Sequence, residues 1–169
     1  RKPQSIRTLK VKRKVCLSLF IFFLLALQAA AEKEGTERIE DRTKRITKLV
    51  DQLNSTVPVT EQNFARNSLI KMGPSVLPYL EDRIRNDKRT YVRVQIAFLL
   101  GRIKDVSSLS VLEETAGSPY YALNKACVLS IGQIGGKKSV DALKRIKERT
   151  KDPNLIKVIK DIPAGKSGR

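Results

Sequence analysis

The residue types that carry most protein chemistry are scarce or badly spaced in this chain. Histidine is absent, which excludes Ser-His-Asp and Cys-His nucleophile pairs and His-based metal sites. Carboxylates occur as neighbours, Glu81-Asp82 and Glu113-Glu114. Adjacent residues on a helix do not face one another, so such pairs cannot converge on one reacting atom and read as solvated surface. The stretch Gly132-x-x-Gly135-Gly136-Lys137-Lys138 is faintly like a phosphate loop, but it lacks the G-x-x-x-x-G-K-[ST] spacing and follows no strand. Only a carboxylate or lysine mechanism is left to a catalytic reading. The chain is therefore expected to have no catalytic residue, no metal and no cofactor, and to act by binding.

The elements that would position a binding surface are repetitive. Gly73, Gly101 and Gly132 occupy the same point of one pattern, a period that signals stacked helical units. Around the second and third of them, apolar residues match as Val92/Leu123, Ile96/Cys127, Ala97/Val128, Leu100/Ile131 and Ile103/Ile134. Offsets of three and four place them on one helix face. The pattern continues in phase into a second helix, with Ser108-Leu109-Ser110-Val111-Leu112 matching Ser139-Val140-Asp141-Ala142-Leu143. A first unit, with Phe64, Leu69, Met72 and Gly73 before Val76-Leu77-Pro78-Tyr79-Leu80, fits with a shorter loop. Glycine at the shared point either lets two helices approach closely, at a cost of about 1 kcal/mol against Ala, or ends a helix.

The string Val92-Arg93-x-x-Ile96-Ala97-x-x-Leu100-Gly101-x-Ile103, with Ile131-Gly132-x-Ile134-Gly135 and Ser139-Val140-x-Ala142-Leu143, resembles the HEAT-like repeat of the phycobilisome-lyase type. The resemblance spans roughly Thr60 to Arg149, with a half-repeat after Asp152. It implies an all-α, right-handed solenoid of about three helix pairs with capping helices, and leaves activity open. Unit three departs from it, with Leu123-Asn124 in place of the Val-Arg pair. Metal enzymes of the deoxyhypusine-hydroxylase type share such repeats but depend on His-Glu pairs, which this chain cannot supply.

The expected organisation is a leader at 1–31, a capping helix and connector at 32–59, the repeat domain at 60–162 and a disordered tail at 163–169. The leader runs from seven basic residues within 1–14 through an apolar stretch, Val15 to Leu27, to Ala29-Ala30-Ala31. That order is the order of a secretory signal peptide, cleaved after Ala31 or two residues earlier; the stretch falls short of the roughly 18–20 residues that span a bilayer. An uncleaved signal-anchor and a buried helix are the alternatives. A secreted or periplasmic location follows from cleavage, and membrane attachment from an anchor. Cys16 would leave with the leader, and Cys127, on the apolar face, reads as a small buried hydrophobe.

In the mature part, Gly35 to Ser55 reads as an amphipathic cap with Ile39, Ile46, Leu49, Val50 and Leu53 in one stripe. Thr60 reads as the N-cap of the next helix, Pro74 opens the one after, and Asp152-Pro153 opens the last. Phe64 and Phe98 fit core positions. The chain is +17 overall, and beyond Gly136 eleven Lys or Arg face four acids.

Second helices usually line the binding surface of such stacks. There the residues after Leu80, Leu112 and Leu143 are Glu81-Asp82, Glu113-Glu114 and Lys144-Arg145, with Lys147 beyond, so the sign reverses along the stack. The leading expectation is an exported scaffold that binds an unidentified protein through these residues. Alternatives are an anionic membrane or polymer meeting Lys137, Lys138, Lys144, Arg145, Lys147, Arg149 and Lys151, and an accessory subunit of an enzyme. Nucleic acid is the weakest partner, because few aromatic residues are left for stacking.

Overall fold

A computed structural model of the chain describes residues 38–163. The leader, Cys16 and the tail after Pro163 lie outside the described residues. Compactness divides the chain between Arg45 and Ile46. In the first unit, residues 38–45 are helical, and Lys44 pairs with Glu40 at 2.8 Å. Ile39 is exposed, so the buried stripe of the first helix starts only at Ile46. Its spacing fits the stripe, but burial also needs a neighbouring element at that height.

The described regular structure is helical throughout. Residues 38–51 form α1, followed by α2 (Val59–Lys71), α3 (Leu77–Asn86), α4 (Thr90–Ile103), α5 (Leu109–Thr115), α6 (Tyr121–Ile134), α7 (Gly136–Arg149) and α8 (Pro153–Asp161), with short 3₁₀ turns at Gly73–Val76 and Val106–Ser108. From Ile46 onward these helices build two layers. One runs α2, α4, α6, α8, each packed on the next; the other runs α3, α5, α7. The end of α1 joins the second layer beside α3, where Thr47 and Tyr79 share a hydrogen bond through their hydroxyls. The result is an all-α solenoid of three HEAT-like helix pairs, α2/α3, α4/α5 and α6/α7, with capping helices α1 and α8.

The matched apolar residues face the core as the pattern requires. Val92, Leu123, Ile96, Cys127, Ala97, Val128, Leu100 and Ile131 are each 0% exposed, and Ile103 packs against the same core. Each fully buried Leu, Ile or Val contributes roughly 1.5–3 kcal/mol relative to exposure. Cys127 is a free thiol, and burial pushes its pKa up to about 12, so it behaves as a hydrophobe.

The three aligned glycines play two different parts. A Cβ on Gly101 of α4 would lie 2.8 Å from the backbone Cα of Ser130 on α6, and one on Gly132 of α6 would lie 2.8 Å from the Ile162 side chain. These two are close-approach glycines between successive first-layer helices. Gly73 has φ +60 with nothing near it. It supplies a left-handed turn after α2, a conformation that glycine adopts without a Cβ penalty.

Two local expectations are corrected. Thr60 is not an N-cap: Pro58 is extended (φ −54, ψ 142) and the helix already includes Val59. The Gln62 amide then reaches back to the Val57 carbonyl at 2.8 Å. Phe64 is not in the core but 65% exposed. The inward positions of α2 are Gln62, Ala65 and Leu69, spaced by three and four, and Phe64 falls off that face. Asp152, by contrast, caps α8 as expected, accepting from the Asn154 and Leu155 amides at 2.9 and 3.4 Å. Among the described residues no helix is long and apolar enough to cross a membrane.

Candidate functional site

A subset of the charged residues of the second layer engage one another, junction by junction. At the α1–α3 junction, Asp51 accepts from Arg83 at 3.2 Å and from Arg89 at 2.7 Å. Beside it, Asp87, whose side chain is 3% exposed, ion-pairs with Arg83 at 2.8 Å. Asp87 also accepts from the Arg89 backbone amide, Nε and Nη2 at 2.8 to 2.9 Å. Those hydrogen bonds hold the Asp87 carboxyl below its ordinary pKa despite burial, and raise that of Arg89.

At the α3–α5 junction, Arg85 donates through Nε to Glu114 at 3.0 Å. At the α5–α7 junction, Arg145 grips Glu113 through Nε and Nη2 at 2.9 and 2.7 Å. Two parallel charged hydrogen bonds of this kind are strong and orienting. They hold the Glu113 pKa down and push that of Arg145 up. Arg149 adds a hydrogen bond to the Glu113 carbonyl.

The structure thus brings together several of the residues singled out from the sequence and separates others. Glu113 meets Arg145, and Glu114 meets Arg85. Glu81 accepts from Ser108 Oγ on the next unit at 3.3 Å. Asp82 stays exposed and accepts from Asn86 of its own helix at 2.7 Å. Lys144 and Lys147 take no part in the ladder. Of the three aligned glycines, Gly73, Gly101 and Gly132, only Gly132 reaches the surface that these two lysines line.

That surface is a groove of about 320 Å³ at the C-terminal end of the stack. Its floor is Val140 and Leu143 from α7 with Ile159, Ile162 and Pro163 from α8 and beyond, and Lys144 and Lys147 form its rim. Val140, Lys144 and Lys147 recur at offsets of four and three, so they share one stripe of α7. Val140 is 44% exposed, an apolar side chain at the last described helix of the second layer. Gly132, Gly135, Gly136 and Ser139 close the other side. Gly135 and Gly136 have φ of 74 and 81 and make the sharp α6–α7 turn, with Ser139 Oγ donating back to the Gly135 carbonyl at 2.7 Å. The faint phosphate-loop pattern is this helix junction. A second depression, lined by Lys125, Leu129, Gln133, Val158 and Asp161, adjoins across Gly132, Ile162 and Pro163.

The sequence singled out the rim lysines but not the floor. Val140 looks like an ordinary core position in the period, yet it is exposed, whereas Ile159 remains buried beneath the groove. The arrangement offers shape, apolar area and positive charge.

A family model of HEAT repeats matches residues 77–159. No curated protein matches the chain. Among solved structures, a chain from the complex of CpcE and CpcF of phycocyanin lyase from Nostoc sp. PCC7120 is similar, with a TM-score of 0.53 and 18% identity over 68% of this chain and 73% of that one. At that identity the likeness concerns the fold. Helical period, two-layer packing, family model and solved neighbour thus agree on a stack of HEAT-like repeats over residues 77–159.

Proposed function

We propose that this chain is a non-catalytic, exported scaffold that binds another protein through the lysine-rimmed groove between α7 and α8. The observation that supports this reading is the contrast within one helix. Arg145 of α7 is spent on Glu113 inside the stack, while Lys144 and Lys147 border an apolar depression. The groove lies in the size range of specific binding clefts, and its walls are preformed by helices. Export rests on the leader, and N-terminal sequencing of the secreted chain tests it: a new terminus after Ala31 or Ala29 supports cleavage.

The test of the docking surface is quantitative capture of partner proteins by the mature chain and by a Lys144→Glu/Lys147→Glu variant. Loss of the captured species supports the groove; an unchanged set counts against it. Arg145 is left intact in this variant, because reversing it would also break the internal pair with Glu113.

A second reading, binding to an anionic membrane or polymer, draws on the exposure of Lys137, Lys138, Lys144, Lys147 and Lys151 at the same end. Flat binding to anionic vesicles across a low-salt range would remove it, since such binding is carried by screened surface charge. An accessory role in an enzyme assembly ranks last. It draws only on a solved neighbour that belongs to a lyase complex.

A further inference from the structure

We infer that the groove receives an amphipathic helix with acidic margins, supplied by a partner protein and seated where one more second-layer helix would lie. The inference rests on the scaffold reading above and names the partner's chemistry. The first layer continues through α8, which packs on both α6 and α7. The described second layer stops at α7. Among the described residues the stack thus stops on half a pair, and the side of α7 that no described second-layer helix covers carries Val140, Lys144 and Lys147 over Leu143, Ile159 and Ile162. A face built like this inside the stack is covered by the next helix.

The charge pattern of the ladder says what kind of helix fits. Each junction between second-layer helices joins a base on one to an acid on the other: Arg83 to Asp51, Arg85 to Glu114, Arg145 to Glu113. At the open edge the bases stand alone. Among the described residues neither Lys144 nor Lys147 is in an ion pair. An incoming helix that repeats the junction chemistry presents Asp or Glu to both, with Leu, Ile or Val between them on the groove floor. A second copy of this chain does not meet that requirement through its own first second-layer helix. Residues 38–51 carry five bases against three acids, and would bring like charge to the lysines.

The test titrates the full mature chain against synthetic helical peptides of about the length of α7. One carries a Leu stripe with Glu along both margins, one has the same composition scrambled, and one has Lys in place of each Glu. The Glu-edged peptide is expected to bind saturably and about tenfold more tightly than the Lys-edged one, the combined effect of two solvent-exposed charge pairs. Scrambling is expected to abolish saturable binding, and Lys144→Glu/Lys147→Glu to reverse the preference. Val140→Glu, a change at an exposed position, is expected to weaken every peptide without altering the fold seen by circular dichroism.

Equal binding of patterned and scrambled peptides overturns the inference, as does no binding at all. Tighter binding to anionic vesicles than to the peptide overturns it in favour of a lipid surface. Concentration-dependent dimerisation that Val140→Glu removes overturns it in favour of a second copy. If natural partners are lost on lysine reversal while the Glu-edged peptide fails to bind, the scaffold reading stands and this inference falls.

Discussion

The two sides of α7 differ in what closes them. Toward α5, the helix is locked by Arg145 on Glu113 and by Arg149 on the Glu113 carbonyl. Toward the far edge, one residue before Arg145 and two after it, Lys144 and Lys147 stand over Val140 and Leu143, and among the described residues no further second-layer helix packs there. A single helix thus carries an interior joint and an open one within three residues of sequence. The difference teaches that charge on a repeat stack has to be sorted by destination before it is read as a binding signal: some of it is mortar between units. The same division separates the glycines. Gly101 sits inside the stack against the backbone of Ser130, and Gly132 sits near its end against a side chain.

The largest effect tests the interior joint. Gly101→Ala places a methyl 2.8 Å from a backbone atom of the neighbouring helix, and backbone cannot step aside without parting α4 from α6. The change is expected to destabilise by about 2–3 kcal/mol by overpacking, after the roughly 1 kcal/mol that Ala contributes to helix propensity. Gly132→Ala meets the branched end of the partly exposed Ile162. There the two effects nearly cancel, for a net change within about 1 kcal/mol. Urea denaturation of both variants checks the pair; equal losses would erase the distinction between interior and terminal joints.

Next in size is the acid cluster at the opposite end of the second layer. Asp87→Asn removes the charge that Arg83 and Arg89 share and is expected to cost about 2 kcal/mol, the scale of a buried hydrogen-bonded charge. Glu113→Gln, whose partner Arg145 is more exposed, is expected to cost about 0.5 kcal/mol. The pH dependence follows from the sign of the shifts. Asp87 and Glu113 both have lowered pKa values in the folded chain, so the unfolded chain binds more protons in the acid range. Their contribution is complete above the ordinary carboxylate pKa values, about 4, and is lost as pH falls below them. The wild-type urea midpoint is expected to drop between neutral pH and pH ~3, and the drop to shrink in Asp87→Asn. An undiminished drop would place the acid sensitivity elsewhere.

Much of this was legible in the sequence because repeat packing is local and periodic. The pairs Val92/Leu123 and Leu100/Ile131 could be aligned before any helix was placed, and the period alone implied that they share a core. The ladder was half legible. Glu113 and Arg145 lie 32 residues apart and Arg85 and Glu114 lie 29 apart, close to one period, so like-placed residues of successive units were bound to be neighbours. The sign reversal from Glu113-Glu114 to Lys144-Arg145 could therefore also have been read as a contact. What the sequence could not show is where packing stops. Val140 has a core-like identity, and its exposure depends on which neighbouring helix the described residues lack rather than on its own spacing; Phe64, by contrast, is exposed because it falls off the inward face of α2. Gly73 shared an alignment column with two packing glycines but took a different backbone conformation, because its unit has a shortened connection.

The smallest expected effect is the most discriminating for the comparison. Lys144→Glu/Lys147→Glu removes no ion pair, since neither lysine has one among the described residues. It does place negative charge in the last turns of α7, where cations are favoured by the helix dipole, and adds like charge near Glu148. Both are surface effects that salt screens. The urea midpoint of the double variant is therefore expected to move less than that of Glu113→Gln in moderate salt, although it changes four units of charge where the other changes one. The ordering depends on destination rather than on the amount of charge. If the lysine variant proves the less stable of the two and salt does not restore it, then Lys144 and Lys147 are tied into the folded chain, and the outer edge of α7 is a closed joint like the inner one.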